Sequence, residues 1–341
     1  MEVNIRSTLN DIVDEYRRTG QVIRWPVPQE LQSSAAVEYR NDFAQTLAKR
    51  SVPEIISSYV YMSASSMDRM LALASRHLLS EPLRGVGMEL GAGCGLLASV
   101  VAKKKAVETV LAVEVCEQMA SLVIPKVASF VLGKEANKIV PVVGSFDDLR
   151  LPANSVDFAV EIDSFHHSDN LSATVSECVR VLKPGGLLLC FDRSHPNTVT
   201  DDDVEQMLSQ VYSREFLVAN SYPPDIVLTR RGNGEHEYRL FEWKSAFDAA
   251  GLKLIKTIKF SEEVPFRLAL KGLISVSPTR IRRILYQTDN ATPKVALSWL
   301  AQHTRSFART FARQGESGPL HSRTKGNNSF PVKKAVGLTD Y

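Results

Sequence analysis

The chain has 341 residues, about two domains' worth or one enlarged domain with appendages, and its 44% hydrophobic and 23% charged content excludes a chain disordered throughout. No apolar run approaches the ~20 residues of a membrane-spanning helix, and the first ten residues are too polar for a secretory signal, so the expected compartment is the cytoplasm. Cys94, Cys116, Cys178 and Cys190 form no C-x-x-C pair, which excludes a disulfide scaffold or zinc ribbon, and the net charge of +3 divides into +10 over Val264–Tyr341 (13 Lys/Arg against three acids) and −7 before it.

Taken in chain order, Met1–Gly20 reads as a polar amphipathic helix, and Trp25-Pro26-Val27-Pro28 as an extended linker, since each proline restricts the residue before it. Ala35–Arg50 and Ser66–Leu79 are predicted helices, the second with Met67, Met70, Leu71 and Leu73 at helical spacing. Then the texture changes. Val86–Leu90, Val110–Val115, Ile139–Val143, Val156–Ile162 and Leu187–Phe191 are short apolar runs. Amphipathic Leu96–Lys105, Met119–Leu132 and Leu171–Leu182 lie between them. Buried runs alternating with helices predict an α/β fold, a Rossmann-like, mainly parallel sheet with helices on both faces. A further helix, Glu242–Ala250, ends at Gly251, and Leu254–Phe260 follows as a strand. The division expected is a helical lid region over 1–80, an α/β domain over 81–263 and a basic extension over 264–341, whose stretch after Thr324 reads as loop or tail.

The strongest local signal is Met88-Glu89-Leu90-Gly91-Ala92-Gly93-Cys94-Gly95, between a strand and a helix, with Glu114 at the end of the next strand. Glycines let backbone approach a ligand, and a carboxylate at that second strand end can accept from both ribose hydroxyls. The third glycine arrives one residue early for a dinucleotide fingerprint, and no G-K-[ST] follows for a phosphate loop. Glu89 would repel a pyrophosphate but suits a cationic amino-acid group.

These residues resemble class I S-adenosylmethionine-dependent methyltransferases, of the small-molecule type 11 kind. The matching blocks are Glu89–Gly95, Glu114, Phe146-Asp147-Asp148-Leu149-Arg150-Leu151-Pro152, Val156-Asp157-Phe158 and Val181-Leu182-Lys183-Pro184-Gly185-Gly186, in the family's order. The resemblance implies a seven-stranded sheet and S-adenosyl-L-methionine as cofactor. It places Gly91 and Gly93 beneath the methionine part, Glu89 at its ammonium and Glu114 at the ribose, with Ala92 and Gly95 also in the cofactor loop. Asp147 would take the adenine amino group with Asp148 supporting the turn. Val115 and Phe146 would flank the adenine ring, with Ile162 beside it.

The acceptor is expected beyond the carboxyl ends of the strands ending at Ile162 and Phe191. There Asp163, His166 and His167 are candidate base and orienting groups, because imidazole titrates near neutrality. Sequence does not separate the two histidines. Arg193 and His195, with Glu235, His236 and Tyr238 from the polar segment Arg230–Arg239, are candidate substrate contacts for a polar or sugar-like, even lipid-linked, hydroxyl. N- or C-methylation of a small metabolite or lipid quinone, and cofactor binding without turnover, are the alternatives. No ligand spacing points to a metal. The cytosine C5 and adenine amino signatures are missing after Ile162. In the extension, Val295–Gln314 reads as a basic amphipathic helix carrying Trp299, Phe307 and Phe311. Packing on the body or in a homodimer is the first reading, a peripheral membrane contact the second. Nucleic-acid binding is third, because aromatics at helical spacing suit burial better than base stacking.

Overall fold

A computed structural model of the chain describes residues 8–32, 34–59, 64, 67–68, 71, 82–219, 222–260 and 334–340. They fall in two compact units: Met1–Val211 with Leu228–Ile258 and Pro331–Thr339, and Tyr212–Val227 with Lys259–Phe330 and Asp340–Tyr341. The N-terminal helices share the first unit with the sheet. In the second, the described helix Arg214–Ala219 carries Phe216 stacked on Tyr212 at 4.1 Å.

The sheet has eight strands: β1 (Ile23–Arg24), β2 (Gly85–Leu90), β3 (Val107–Glu114), β4 (Ile139–Val143), β5 (Val156–Ile162), β6 (Leu182–Arg193), β7 (Lys253–Phe260) and β8 (Lys334–Asp340). Their order is β1-β4-β3-β2-β5-β6-β8-β7, and every pair from β1 to β6 is parallel. This is the Rossmann-like class expected from the sequence; the resemblance implied seven strands where the described sheet has eight, and two of the eight lie outside the six runs read in the sequence. One added strand is β1, from the segment leading into the Trp25–Pro28 linker. It is only two residues long, and it is set by position: Trp25 N–H donates to Val143 O at 2.8 Å while the indole fills the space a side chain at Gly144 would need. The other is β8, in the stretch read as loop or tail.

Strands β3 and β4 are buried over almost every residue, which is why they read as unbroken Val-rich runs rather than alternating ones. Met88, Leu90, Leu111, Val113, Val140 and Val142 join one core with Leu171, Val175 and Phe247 from the covering helices. Each such side chain contributes roughly 1.5–3 kcal/mol by leaving water. Helix Leu9–Thr19 starts at a Thr8–Asp11 capping box and ends at left-handed Gly20. Helix Ala35–Ala48 is anchored at its carboxyl end by Lys126, whose Nζ donates to Ala48 O at 2.9 Å and Arg50 O at 2.6 Å.

The predicted helix Ser66–Leu79 lies mostly outside the described residues, although Met67 and Leu71 are buried as its spacing requires. Pro278–Tyr286 and Val295–Gln314 lie wholly outside them. Among the described residues no helix is long and apolar enough to cross a membrane.

Sheet order matters for the site. Progress from β2 runs outward through β3 and β4 on one side and through β5 and β6 on the other. The crevice outside the carboxyl ends of β2 and β5 is therefore the topological switch point, where open α/β sheets bind ligands.

Candidate active site

The loop leaving β2 enters that crevice. Gly91 (φ +70°), Gly93 (φ +52°) and Gly95 (φ +73°) all take left-handed conformations, and helix Leu96–Ala102 follows. At Gly91 an added Cβ would sit 2.5 Å from Ser164 Cβ, so only glycine lets this turn lie against the loop after β5. Ala92 is buried, its N–H bonded to Val113 O at 2.9 Å. Two buried carboxylates shape the turn. Glu114 accepts from Gly93 N–H at 2.7 Å and Cys116 N–H at 2.9 Å, and Glu89 accepts from Ala98 N–H at 2.7 Å in the first turn of the helix. Sequence reasoning gave these acids to the ligand alone; each also holds the loop in shape.

Burial, reinforced by the nearby Glu114 charge against the Ala98 hydrogen bond, pushes Glu89 well above the usual carboxylate range. A carboxyl whose ionisation is opposed by burial, set beside a glycine turn, fits a cofactor that brings its own positive charge, as the ammonium and sulfonium of S-adenosylmethionine would, and not a diphosphate. Binding such a cation should ionise Glu89. The complex is therefore expected to release a proton, and affinity to rise with pH. Calorimetric titrations near neutral pH in buffers of different ionisation enthalpy read that proton directly.

The adenine-side candidates lie at the end of β4. Phe146 packs at 5.6 Å from Phe165, and its Cε1 is 3.8 Å from where a Gly91 Cβ would stand. Asp147 accepts from Thr174 and, at 3.2 Å, from Ser145 Oγ. Asp148 pairs with Arg150. Val115 follows β3 half-buried, and Ile162 ends β5 opposite Phe191.

Beyond Ile162 the backbone turns sharply: Asp163 is left-handed at φ +51°, one of two non-glycine residues with positive φ among those described. Such conformations cluster at functional sites. Ser164 Oγ donates to Leu90 O at 2.7 Å, tying this turn to the glycine loop. The short 3-10 helix Phe165–His167 then carries both histidines.

The structure separates the two rings. His166 is 1% exposed; its Nδ1 meets Asp192 Oδ1 at 2.7 Å and its Nε2 meets the Arg193 guanidinium. Burial pulls this imidazole down, but Asp192 outweighs it and the net shift is upward. Asp192 also accepts from His166 N–H at 3.0 Å and Arg193 N–H at 2.7 Å. His167 donates from Nδ1 to Gly234 O at 2.9 Å, and its Nε2 takes an N–H from Arg40 at 3.3 Å. Burial and the Arg40 charge hold it well below the usual histidine range, so it is neutral.

The segment Arg230–Arg239 packs on both loops, and its side chains from Glu235 to Tyr238 divide alternately between them. Glu235 and Glu237 face β6: Glu235 pairs with Arg193, and Glu237 pairs with Arg230 and accepts from His195 Nε2 at 2.6 Å. His236 and Tyr238 face the turn after β5, where His236 bonds His166 O at 3.1 Å and Tyr238 Oη donates to Ser168 O at 2.6 Å. The structure thus brings Asp163, His166, Arg193, His195 and Glu235 to one sheet edge, and turns His236 and Tyr238 toward backbone carbonyls. Asp192, weighed from the sequence only as a metal ligand with Asp163, His166 and His167, and Glu237 stand outside the catalytic and substrate residues expected. The period-2 pattern around Glu235 was the available signal for Glu237.

Two groups here have metal-ligand composition, His166/His167/Glu235 and Asp163/His166/Asp192. In the first, guanidinium groups stand at both histidine Nε2 atoms, Arg40 at His167 and Arg193 at His166; in the second, His166 Nδ1 faces the carboxylates and is bonded to Asp192 at 2.7 Å.

Burial alone would raise Glu235, but the Arg193 charge, with His166 and Arg230, holds it down at about 2. Its ionised form stabilises the fold fully above the ordinary carboxylate value, and that contribution fades as pH falls toward about 2. Urea midpoints of the parent and Glu235→Gln should therefore differ most at neutral pH and converge in strong acid.

A glycine turn at the switch point, with buried acids beside it and a polar cluster across the crevice, is the arrangement that the resemblance to class I S-adenosylmethionine-dependent methyltransferases implies. Comparison with known proteins adds one match: residues 88–190 fit the family model described as methyltransferase domain. No curated protein matches the chain. Among solved structures, the YcgJ protein from Bacillus subtilis is 18% identical over 69% of this chain and 88% of its own, with a TM-score of 0.42. The [4+2]-cyclase SpnF is 15% identical over 69% and 77%, at 0.43. Phosphoethanolamine N-methyltransferase 2 from Haemonchus contortus is 14% identical over 72% and 49%, at 0.40.

Proposed function

We propose that the protein methylates a hydroxyl of a small polar acceptor seated over the carboxyl ends of β5 and β6. The observation that carries this reading is the cluster of Asp163, Arg193, His195, Glu235 and Glu237 at that edge, joined to the glycine loop through Ser164. Its charges alternate in sign, which suits an acceptor rich in hydrogen-bonding groups rather than a single strong anion.

Glu89, Gly91, Gly93 and Glu114 would hold the cofactor, which supplies an electrophilic methyl group and leaves as a neutral thioether. This chain's residues hold the acceptor oxygen in line, and such positioning supplies much of the rate in a displacement. Arg193, fixed by Glu235 and His166, offers donors to acceptor oxygens. Asp163, with its side chain largely exposed, offers an acceptor at the mouth. That exposed carboxylate also favours a second reading, an amine acceptor.

Incubating the full chain with methyl-labelled S-adenosylmethionine and a small-molecule extract of the source cells, then locating the label by NMR, tests the choice. Label on oxygen is expected. Label on nitrogen or carbon would replace this reading, and no transfer at all would leave a binding protein.

A further inference from the structure

We infer that His195, oriented by buried Glu237, is the group that takes the acceptor's proton; this rests on the hydroxyl reading above. Of the four histidines among the described residues, His236 gives Nδ1 to His166 O and sets Nε2 3.4 Å from Asp169, and His166 and His167 have both ring nitrogens engaged. His166 gives Nδ1 to Asp192 and Nε2 to Arg193, and His167 gives Nδ1 to Gly234 O and Nε2 to Arg40. Neither ring presents a lone pair to a ligand. His195 does.

Its Nε2 lies 2.6 Å from Glu237 Oε2, and the Glu237 side chain is 2% exposed. Burial alone would raise Glu237, but the hydrogen bond from His195, with the Arg230 and Arg193 charges, holds it below the usual carboxylate range. An ionised carboxylate there accepts the Nε2–H, which fixes the tautomer and leaves the lone pair on Nδ1. That atom meets no protein partner among the described residues, and the side chain is 23% exposed. A histidine whose far nitrogen is pinned by a buried carboxylate is the arrangement general-base catalysis requires.

Position agrees with this role. His195 N–H bonds Tyr238 O at 2.9 Å and its carbonyl accepts from Leu240 N–H at 3.0 Å, so the backbone continues the line of β6. Side chains alternate along such a line, which places His195 on the same face as Arg193, one step farther out. Arg193 reaches His166 and Glu235, and His195 reaches Glu237, so the two stand side by side at the acceptor's edge.

In the step inferred, the acceptor oxygen forms its bond to the methyl carbon and the carbon–sulfur bond breaks, its electron pair staying on sulfur. The hydroxyl proton moves to His195 Nδ1. The resulting imidazolium is stabilised by Glu237 and returns its proton to water.

The test has two arms on the full chain. Diethyl pyrocarbonate acylation mapped by peptide mass spectrometry should find His195 acylated well before His166 and His167. Faster acylation of either of those would overturn the assignment. In the second arm, His195→Ala should lower label transfer about 100-fold or more, as general bases contribute 10²–10⁴. Added imidazole should restore part of it, with cofactor affinity unchanged. Oxygen label in the parent with less than a tenfold loss in His195→Ala defeats His195 while sparing the hydroxyl reading. Nitrogen label in the parent defeats that reading whatever the variant does.

Discussion

Asp192→Ala should be the most damaging single change at the acceptor edge, costing about 3–5 kcal/mol, the usual range when one partner of a buried pair is removed. The Asp192 side chain is almost fully buried and accepts three hydrogen bonds, from the His166 ring, the His166 amide and the Arg193 amide. Alanine strands all three donors. An unsatisfied buried donor costs roughly 1–3 kcal/mol, and partial rearrangement keeps the total below the sum. The variant also removes what holds the His166 imidazole up, so its pKa should fall below the usual histidine value. Urea unfolding gives the stability loss. Asp201→Ala, which breaks a solvent-exposed pair with Arg239, is the control and should stay within about 1 kcal/mol of the parent.

Gly91→Ala is expected to remove cofactor binding, at a smaller stability cost of about 1–3 kcal/mol. Two penalties coincide there. A side chain at φ +70° is strained, and its Cβ would stand 2.5 Å from Ser164 Cβ and 3.0 Å from Ser164 Oγ. Ser164 cannot retreat without giving up its bond to Leu90 O. The glycine loop and the turn after β5 must then separate, which opens the crevice they form. An affinity loss of at least tenfold follows, about 1.4 kcal/mol. Gly185→Ala separates the two penalties: it has φ +78° but nothing within 4 Å of the added Cβ. That variant should carry the backbone strain alone and keep its affinity.

Much of this was legible in the sequence because the β2–β6 strands are buried deeply enough to be read as apolar runs. The bounds Ile139–Val143 and Val156–Ile162 came out as observed. The glycine loop was legible because its chemistry is local: Glu89 through Gly95 sit within one turn. What stayed hidden depends on distance along the chain. Asp192 meets His166 across 26 residues and Glu237 meets His195 across 42, and no periodicity within either segment names the other. For the same reason the histidines looked alike in sequence; only their partners tell them apart. Strand β1 was missed because two residues carry no pattern, and its place comes from Trp25 packing against Gly144. Helix Asp201–Leu208 was also passed over, although Thr200 and Asp203 form a capping box that announces it.

The central claim is that the crevice between β2 and β5 holds a cationic nucleoside cofactor by means of buried acids. Calorimetric titration of the full chain with S-adenosylmethionine, and separately with NAD, tests it most directly. Saturable binding of S-adenosylmethionine with release of a proton, and no binding of NAD, is expected. Binding of NAD with no response to S-adenosylmethionine would contradict it.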